Sequence, residues 1–388
     1  MKKQFLICTL ISLLAVILLS CQNNEAEYQV DDHTKRGKSN LELKDELLKK
    51  QKIQLAAVGD LLIHDRVYND AKTSGGYDFI PMLENVEPYL TRPTITTANQ
   101  ETMIGGTEIG LSSYPSFNSP VEVGDALKEI GVDIVSLANN HTLDRGEQAI
   151  KRAISHWNKI NMPYVGAYQS QADSEKIRVI KTEEDISLSF LSYTYGTNGI
   201  PTPNGKEYLV NRINRKKLAE DVQEADKISD VIVLQLHFGN EYERMPSQSQ
   251  KELVQYIADL GVDVIFGHHP HVLQPVEWVE GANGNRTFVA YSLGNFLSGQ
   301  DAFYRRIGGM VQLTIEKKQN ENEEAIIELT EPKFLPTFVD LDIDSTSDYS
   351  VVPMYKLTDE LLRDHQQHYQ EIKQHLSQWM PELSFIED

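Results

Sequence analysis

The chain has 388 residues, with 37 Lys and Arg against 57 Asp and Glu, for a formal net charge of −20. Such acidity argues against a nucleic-acid partner, which would need a basic face to neutralise phosphates. Cys8 and Cys21 are the only cysteines, so no disulfide framework is available, and the length suits one large domain or two small ones held by a buried core.

Lys2 and Lys3 precede an almost wholly apolar run over residues 5–19, which ends in Leu18-Leu19-Ser20-Cys21 and is followed by polar Gln22-Asn23-Asn24-Glu25. The run falls short of the ~20 residues that span a bilayer and has the length of a secretory signal. The order Leu, one residue, small residue, Cys resembles the lipobox of bacterial lipoproteins. That resemblance implies a signal peptide over 1–20, cut before a doubly acylated Cys21. The domain would then be lipid-anchored on the extracytoplasmic face of the cell membrane, because two acyl chains hold where one is marginal. The alternative is an uncleaved anchor or an ordinary signal with a chance cysteine. Without Lys2 and Lys3 the net charge becomes −22.

Residues 21–52 are polar, apart from Leu41, Leu43, Leu47 and Leu48, and read as a flexible tether closing in one short helix. A domain over 53–340 follows. Strands are expected at 53–58, 94–98, 133–137, 187–193, 231–236, 264–266, 287–291 and 310–315. Helices are expected at 121–130, 147–159, 215–225 and 247–260. Strands apolar throughout, alternating with helices, mean an α/β layered domain with sheets covered on both faces. The last strands lack intervening helices, which suggests a mixed sheet or two stacked sheets. In the extension over 341–388, residues 358–379 read as an amphipathic helix with Asp359 and Glu360 at its start and Pro381 after its end. Its His365, His368 and His375 lack a carboxylate cluster and read as a solvated face.

One pattern occurs twice. Gly131-Val132-Asp133 and Gly261-Val262-Asp263 each follow a helix and lead into a buried strand, and a His stands ten residues after each Gly, at His141 and His271. The glycines fit a helix C′ position that needs positive φ. Ligands in α/β sheets bind beyond the carboxyl ends of strands, and polar residues collect at these ends. They are Asp60 and His64; Asn99, Gln100 and Glu101; Asn139, Asn140 and His141; His237 and Glu241; His268, His269 and His271; and Asn295. Six of the eleven histidines fall in this set, so the set is read as a site rather than as scattered core residues. Ligands of this type, without thiolate, suit Mn²⁺, Fe or Zn²⁺, and their number suits two ions about 3.5–4 Å apart. Glu101 and Glu241 could instead form an acid/base pair.

Together the segments Gly59-Asp60-Leu61-Leu62-Ile63-His64, Asn99-Gln100-Glu101, Ala138-Asn139-Asn140-His141, His237-Phe238-Gly239-Asn240-Glu241-Tyr242, Gly267-His268-His269-Pro270-His271 and Ser292-Leu293-Gly294-Asn295-Phe296 resemble the CapA family. Those membrane-associated proteins are linked to poly-γ-glutamate capsule synthesis, and their domain in turn resembles calcineurin-like metallophosphoesterases. The resemblance implies a four-layer α/β/β/α sandwich with two divalent ions. It implies Asp60, Asn140, His237, His269 and His271 as metal ligands and His141 as the group that protonates a leaving group. His64, Glu241, His268 and Asn295 are accessory candidates. Leu62 stands where the phosphoesterases carry a ligand His, which leaves His64 as the nearby substitute, and Glu101 replaces a missing bridging Asp.

Two functions follow. One is an anchored capsule component that binds or guides an anionic polymer alongside membrane partners of a synthesis complex. The other is a metal-dependent hydrolase of a phosphoester or amide in an envelope substrate. No phosphate-binding Gly-x-x-x-x-Gly-Lys loop or Gly-x-Ser-x-Gly elbow is present. Arg212 with Arg215-Lys216-Lys217, and Arg305-Arg306, are the basic runs that could meet an anion, although short runs of this kind are more often solvated faces. Cys21→Ser is expected to give an exported chain that takes up no fatty acid. Radiolabelled palmitate incorporated equally by mutant and wild type would overturn the anchor.

Overall fold

The first strand already defines the layers. The computed structural model describes residues 49–319, 325–342, 344–345 and 347–388, so the expected signal, Cys21 and the tether up to residue 48 lie outside them. β1 (Lys49–Leu62) sends Ile53, Leu55 and Ala57 into one buried cluster and Ala56 and Val58 into another. Its period of two splits the strand between two cores, so it must be covered on both faces.

The strands that follow in the chain are β2 (Ile95–Gln100), β3 (Ile134–Ser136), β4 (Tyr164–Val165), β5 (Arg178–Lys181), β6 (Ser187–Thr194), β7 (Val231–His237) and β8 (Val264–His268). After them come β9 (Val276–Glu280), β10 (Arg286–Ala290), β11 (Asn295–Ser298), β12 (Ile307–Gln319), β13 (Ile326–Asp342), β14 (Ser347–Pro353) and β15 (Ser384–Phe385). The longer helices are α1 (Glu122–Glu129), α2 (Gly146–Lys159), α3 (Arg215–Asp226), α4 (Gln248–Asp259) and α5 (His365–Ser377).

One mixed sheet runs β14-β13-β12-β1-β2-β3-β4, with β11 paired to β1 and β15 to β13. The other runs β5-β6-β7-β8-β10-β9. Between them lies an apolar layer that includes Leu55, Phe190, Val233, Phe266, Leu313 and Phe334. Val123, Leu127, Ile150, Ile154 and Trp157 of α1 and α2 cover the outer face of the first sheet. Leu218, Val222, Val254 and Ile257 of α3 and α4 cover that of the second. The result is the expected α/β/β/α sandwich.

The repeated Gly-Val-Asp segments set strand register. Gly131 and Gly261 take φ of +95° and +94° directly after α1 and α4, and each Asp then precedes a parallel strand. The Asp133 amide donates to the Thr96 carbonyl while its carboxylate accepts the Thr96 N–H at 2.8 Å. Asp263 makes the same clasp with Ile232, its carboxylate accepting at 2.7 Å. Asp230, outside the repeat, clasps Ser187 in the same way. Strand starts fixed like this also fix where the opposite, carboxyl ends emerge.

Three expectations need correction, the start of β1, the start of the C-terminal helix and the exposure of its histidines, and one strand, β13, was not expected. β1 starts at Lys49, not residue 53, because residues 49–52 already pair with β12. β13 is long although Pro332 and Pro336 interrupt its sequence; the pairing slips opposite Gln312–Thr314, and Glu331 there takes a φ of +50°. Proline is tolerated at such a bulge, where a ladder N–H is not required. The C-terminal helix starts at His365 rather than 358, since Asp359 accepts the Asp364 N–H in a turn before it. Its histidines are half-buried rather than solvated: His368 packs on Phe303 with ring centroids 4.5 Å apart, and His375 meets the Leu273 carbonyl at 3.1 Å. Ile372 and Leu376 enter the inter-sheet core, so the extension is built into the sandwich.

Burial pushes the Asp263 carboxyl up to about 6, against the Ile232 N–H that favours its charge. A folded-state value above the ordinary one contributes stability that is full below about pH 4 and lost as pH rises through about 6. Asp263→Asn keeps an acceptor for the Ile232 N–H without that penalty. Relative to wild type it should gain about 2–3 kcal/mol between pH 4 and pH 8, measured by urea unfolding at both pH values; an equal change in both proteins would contradict it.

Candidate metal centre

Asp60 ends the straight part of β1, in register with Asn99 of β2 on one side and Asn295 of β11 on the other. It gets there because Gly59 lets the strand approach a neighbouring turn: a Cβ at Gly59 would lie 2.1 Å from the Gly294 carbonyl oxygen. Gly267 does the same for β8, where a Cβ would lie 2.0 Å from the Tyr291 oxygen. Beyond Gly267 the backbone turns through His269 at φ +98° and His271 at φ +57°. A left-handed non-glycine residue costs of order 1–3 kcal/mol and persists where surroundings enforce it. Here the His269 N–H donates to Asp60 Oδ2 at 3.2 Å, and the Asn99 side-chain amide donates to Oδ1 at 2.8 Å.

Around this anchor the strand ends converge. His268 Nδ1 lies 3.2 Å from Asp60 Oδ1, and His271 Nδ1 lies 3.3 Å from Oδ2. His271 Nδ1 also faces Asn295 Oδ1 at 3.0 Å, while its Nε2 points to Glu101 Oε1 at 3.8 Å. His237 Nε2 meets Asn140 Oδ1 at 2.9 Å and Glu101 Oε1 at 3.4 Å. Two sets of side chains could each hold an ion: Asp60, Glu101 and His237; and Glu101, His269 and His271. Within each, the ligand atoms lie within 4.8 Å of one another, and all five residues are buried. Glu101 belongs to both sets, which is where a bridging carboxylate would stand. Both Glu101 oxygens and His269 Nδ1 lack a hydrogen-bond partner among the described residues. Buried carboxylate oxygens are normally paired, so this donor set fits divalent cations.

The electrostatics agree. Burial drives the Glu101 carboxyl well above its ordinary range, with His271 opposing only in part. For Asp60 burial acts in the same direction, but His268 and His271 outweigh it and hold the group well below that range. Burial lowers His237, and lowers His269 to about 3, so both are neutral and have a lone pair to give. Burial opposes the charge of His271 as well, yet Glu101 and Asp60 raise it to about 9. His271 therefore carries a proton that a bound cation would have to displace.

Asp60, Glu101, Asn140, His237, His269 and His271 are all brought together. Among the accessory residues, His268 braces Asp60 and Asn295 braces His271. Glu241 is exposed at the mouth. His64 stands apart from both ligand sets: its Nδ1 faces the Leu62 carbonyl at 3.0 Å, and its ring meets Phe117 edge-on. It does not replace the histidine missing at position 62. His141 lies beside the ligands, with Nδ1 2.8 Å from Asp144 Oδ2 and its ring against Phe117. Asp144, not Glu101, is its carboxylate partner.

Two contributors escaped the sequence reading. Tyr195 packs on His269, with ring centroids 4.7 Å apart, and Asn198 lies 3.3 Å from Asn140 and 3.5 Å from His141 Nδ1. Both follow the carboxyl end of β6, which is not among the expected strand-end sites. Asn99, one of the strand-end residues, bonds Asp60 directly.

Residues 54–300 match the protein family described as Bacterial capsule synthesis protein PGA_cap. The chain belongs to this family. Every ligand named above lies inside the matched stretch. Curated relatives include the PGA biosynthesis protein CapA of Bacillus subtilis, 32% identical over 198 residues, or 49% of this chain and 49% of that protein. The Capsule biosynthesis protein CapA of Bacillus anthracis is 27% identical over 281 residues, 68% of this chain and 64% of that one. A probable polyglutamine synthesis accessory protein of Mycobacterium tuberculosis is 22% identical over 194 residues, 47% of this chain and 49% of that one. The matches thus span between about half and two thirds of these relatives' lengths.

Replacing both His269 and His271 with Ala should abolish tight Mn²⁺ or Zn²⁺ binding, since one turn supplies both; unchanged metal content per chain would refute the assignment. Glu101→Gln should raise the melting temperature of chelator-treated protein at pH 8, because it removes a carboxyl whose charge burial opposes and His271 offsets only in part. The same variant should lose the stabilisation that added metal gives wild type, about 2.7 kcal/mol at a hundredfold excess over Kd. Wild-type affinity should fall from pH 8 to pH 6.5, as His271 holds its proton more firmly; isothermal titration at the two pH values tests the sign.

Proposed function

We propose that this chain is a lipid-anchored, extracytoplasmic component of poly-γ-glutamate capsule synthesis, with a two-ion centre that engages the anionic polymer next to its membrane partners. The observation that carries the reading is Glu101, a buried carboxylate shared by two candidate ligand sets and left without a hydrogen-bond donor among the described residues, inside the stretch that matches a capsule-synthesis family. Cys21 and the preceding apolar run support the anchor.

Asp60, Glu101 and His237 would hold one ion, with Asn140 Oδ1 adjoining, and Glu101, His269 and His271 the other. Mn, Fe or Zn suits these donors. Bound ions would supply Lewis-acid polarisation of an oxygen on the ligand. The chain's own contribution to proton handling is the pair His141 and Asp144. With Asp144 ionised, His141 Nδ1 donates to it, which leaves Nε2 to take or give a proton. Asp144 also accepts the Phe117 N–H at 2.8 Å, so the carboxylate cannot swing away. Asn140 and Asn198 hold the adjoining edge.

His141→Asn should keep fold and metal and lose polymer output in a producing strain, along with any amide or phosphodiester hydrolysis in vitro, where general acid–base groups are worth about 10²–10⁴-fold. If output is intact in that variant while the His269 and His271 double variant abolishes it, proton transfer by His141 is excluded and the centre works by binding alone.

A further inference from the structure

Of the basic residues singled out in the sequence, most are engaged elsewhere. Arg212 donates to the Thr197 hydroxyl and the Ile200 carbonyl. Lys216 and Lys217 pair with Glu220 and Asp221, and Arg215 lies over Tyr256 in the outer helical layer. Arg306 is buried, donates to the Val339 carbonyl and pairs with Asp340. Arg305 differs. It is half-buried, and no carboxylate lies within ion-pair distance of it among the described residues. Its guanidinium stacks on the ring of Tyr242, 3.4 Å from the centroid.

That stack belongs to the rim of the metal centre. The Tyr242 ring lies 6.1 Å from the His271 ring, and its backbone, at φ +67°, is tied by an N–H donated to the Pro270 carbonyl. The Arg305 carbonyl accepts the Asn295 side-chain amide at 2.8 Å, and the same Asn295 orients His271. Tyr242 is 39% exposed, and across the ligands Tyr195, on His269, is 49% exposed. A guanidinium is planar by resonance, and placing it over a ring fixes its orientation while leaving its edge N–H groups to take a carboxylate in bidentate fashion. Glu241 neighbours the Tyr242 hydroxyl without pairing with Arg305.

We propose that Arg305, positioned by Tyr242, is the specificity-determining residue that anchors a carboxylate of the ligand at the rim of the centre. Tyr242 and Tyr195 give the flanking methylenes and amides an aromatic surface. The inference rests on the polymer reading above and adds the chemistry by which the polymer's charge is recognised on a chain that is itself acidic.

The test uses the purified full chain, with its metal content measured, and two probes: a γ-linked glutamate oligomer and the same oligomer with its α-carboxylates converted to amides. Isothermal titration should show wild type preferring the acid form. Arg305→Ala should lose that preference by about tenfold or more, with metal content and melting temperature unchanged. Arg305→Lys, which keeps the charge without the planar fork, should recover part of it. If Arg305→Ala keeps the preference, or wild type binds both probes equally, the role of Arg305 is overturned while the polymer reading stands. If wild type binds neither probe, the polymer reading fails and the proposal falls with it.

Discussion

Two carboxylates buried side by side, Asp60 and Glu101, dictate the rest of the centre. Burial opposes charge on both, and two like charges in a dry site cannot both persist without cations. The chain treats them differently. Asp60 accepts an amide N–H and a backbone N–H, and lies 3.2 Å and 3.3 Å from the His268 and His271 imidazoles, which hold it ionised in the free protein. Glu101 accepts no hydrogen bond among the described residues, and burial holds its carboxyl well above the ordinary range, so its charge is the one that a bound cation would stabilise. This asymmetry makes Asp60 a fixed corner of the site and Glu101 its variable one.

The sandwich is organised to bring about this juxtaposition. The two carboxylates come from adjacent parallel strands of one sheet, whereas His237, His269 and His271 come from β7 and the turn after β8 of the other. Neither sheet can make the site alone, so the inter-sheet core must hold the two in register. The Asp133, Asp230 and Asp263 clasps act at the amino ends of the strands, and the ligands leave from the carboxyl ends. Gly59 and Gly267 then permit approaches that any side chain would block. Left-handed His269 and His271 are the local cost, set against the hydrogen bond from the His269 amide to Asp60.

Layering and ligand set were legible because both have short-range signatures. Apolar strands alternating with helices imply covered sheets, and hard ligands after successive strands imply a shared cleft. What escaped depended on long-range placement. β13 escaped because Pro332 and Pro336 mimic breakers, and only its partner shows that a bulge accommodates one of them. The α5 histidines looked solvated because polar residues have no periodic label for contacts 100 residues away, such as His375 with Leu273. Tyr195 and Asn198 were within reach: the strand-end rule, applied to β6, finds them. His64 falls in neither candidate ligand set, since nearness in sequence to a missing ligand does not determine which way a turn leaves the strand.

The acidity of the chain and the proposed anionic ligand can be reconciled by distance. At physiological ionic strength, exposed charges are screened beyond roughly 8 Å, so the net charge of −20 governs approach from afar and little of the contact itself. At contact, the local inventory decides. Without cations the centre holds Asp60 and Glu101 against protonated His271. With two divalent ions the sign at the cleft floor reverses, because a bound ion is the largest local charge in such a site. Arg305 then adds fixed positive charge at the rim. On an acidic chain, a cation-loaded cleft would favour a polyanion there over the rest of the domain. That acidity would also disfavour wrapping around the rest of the domain under the polymer reading proposed above.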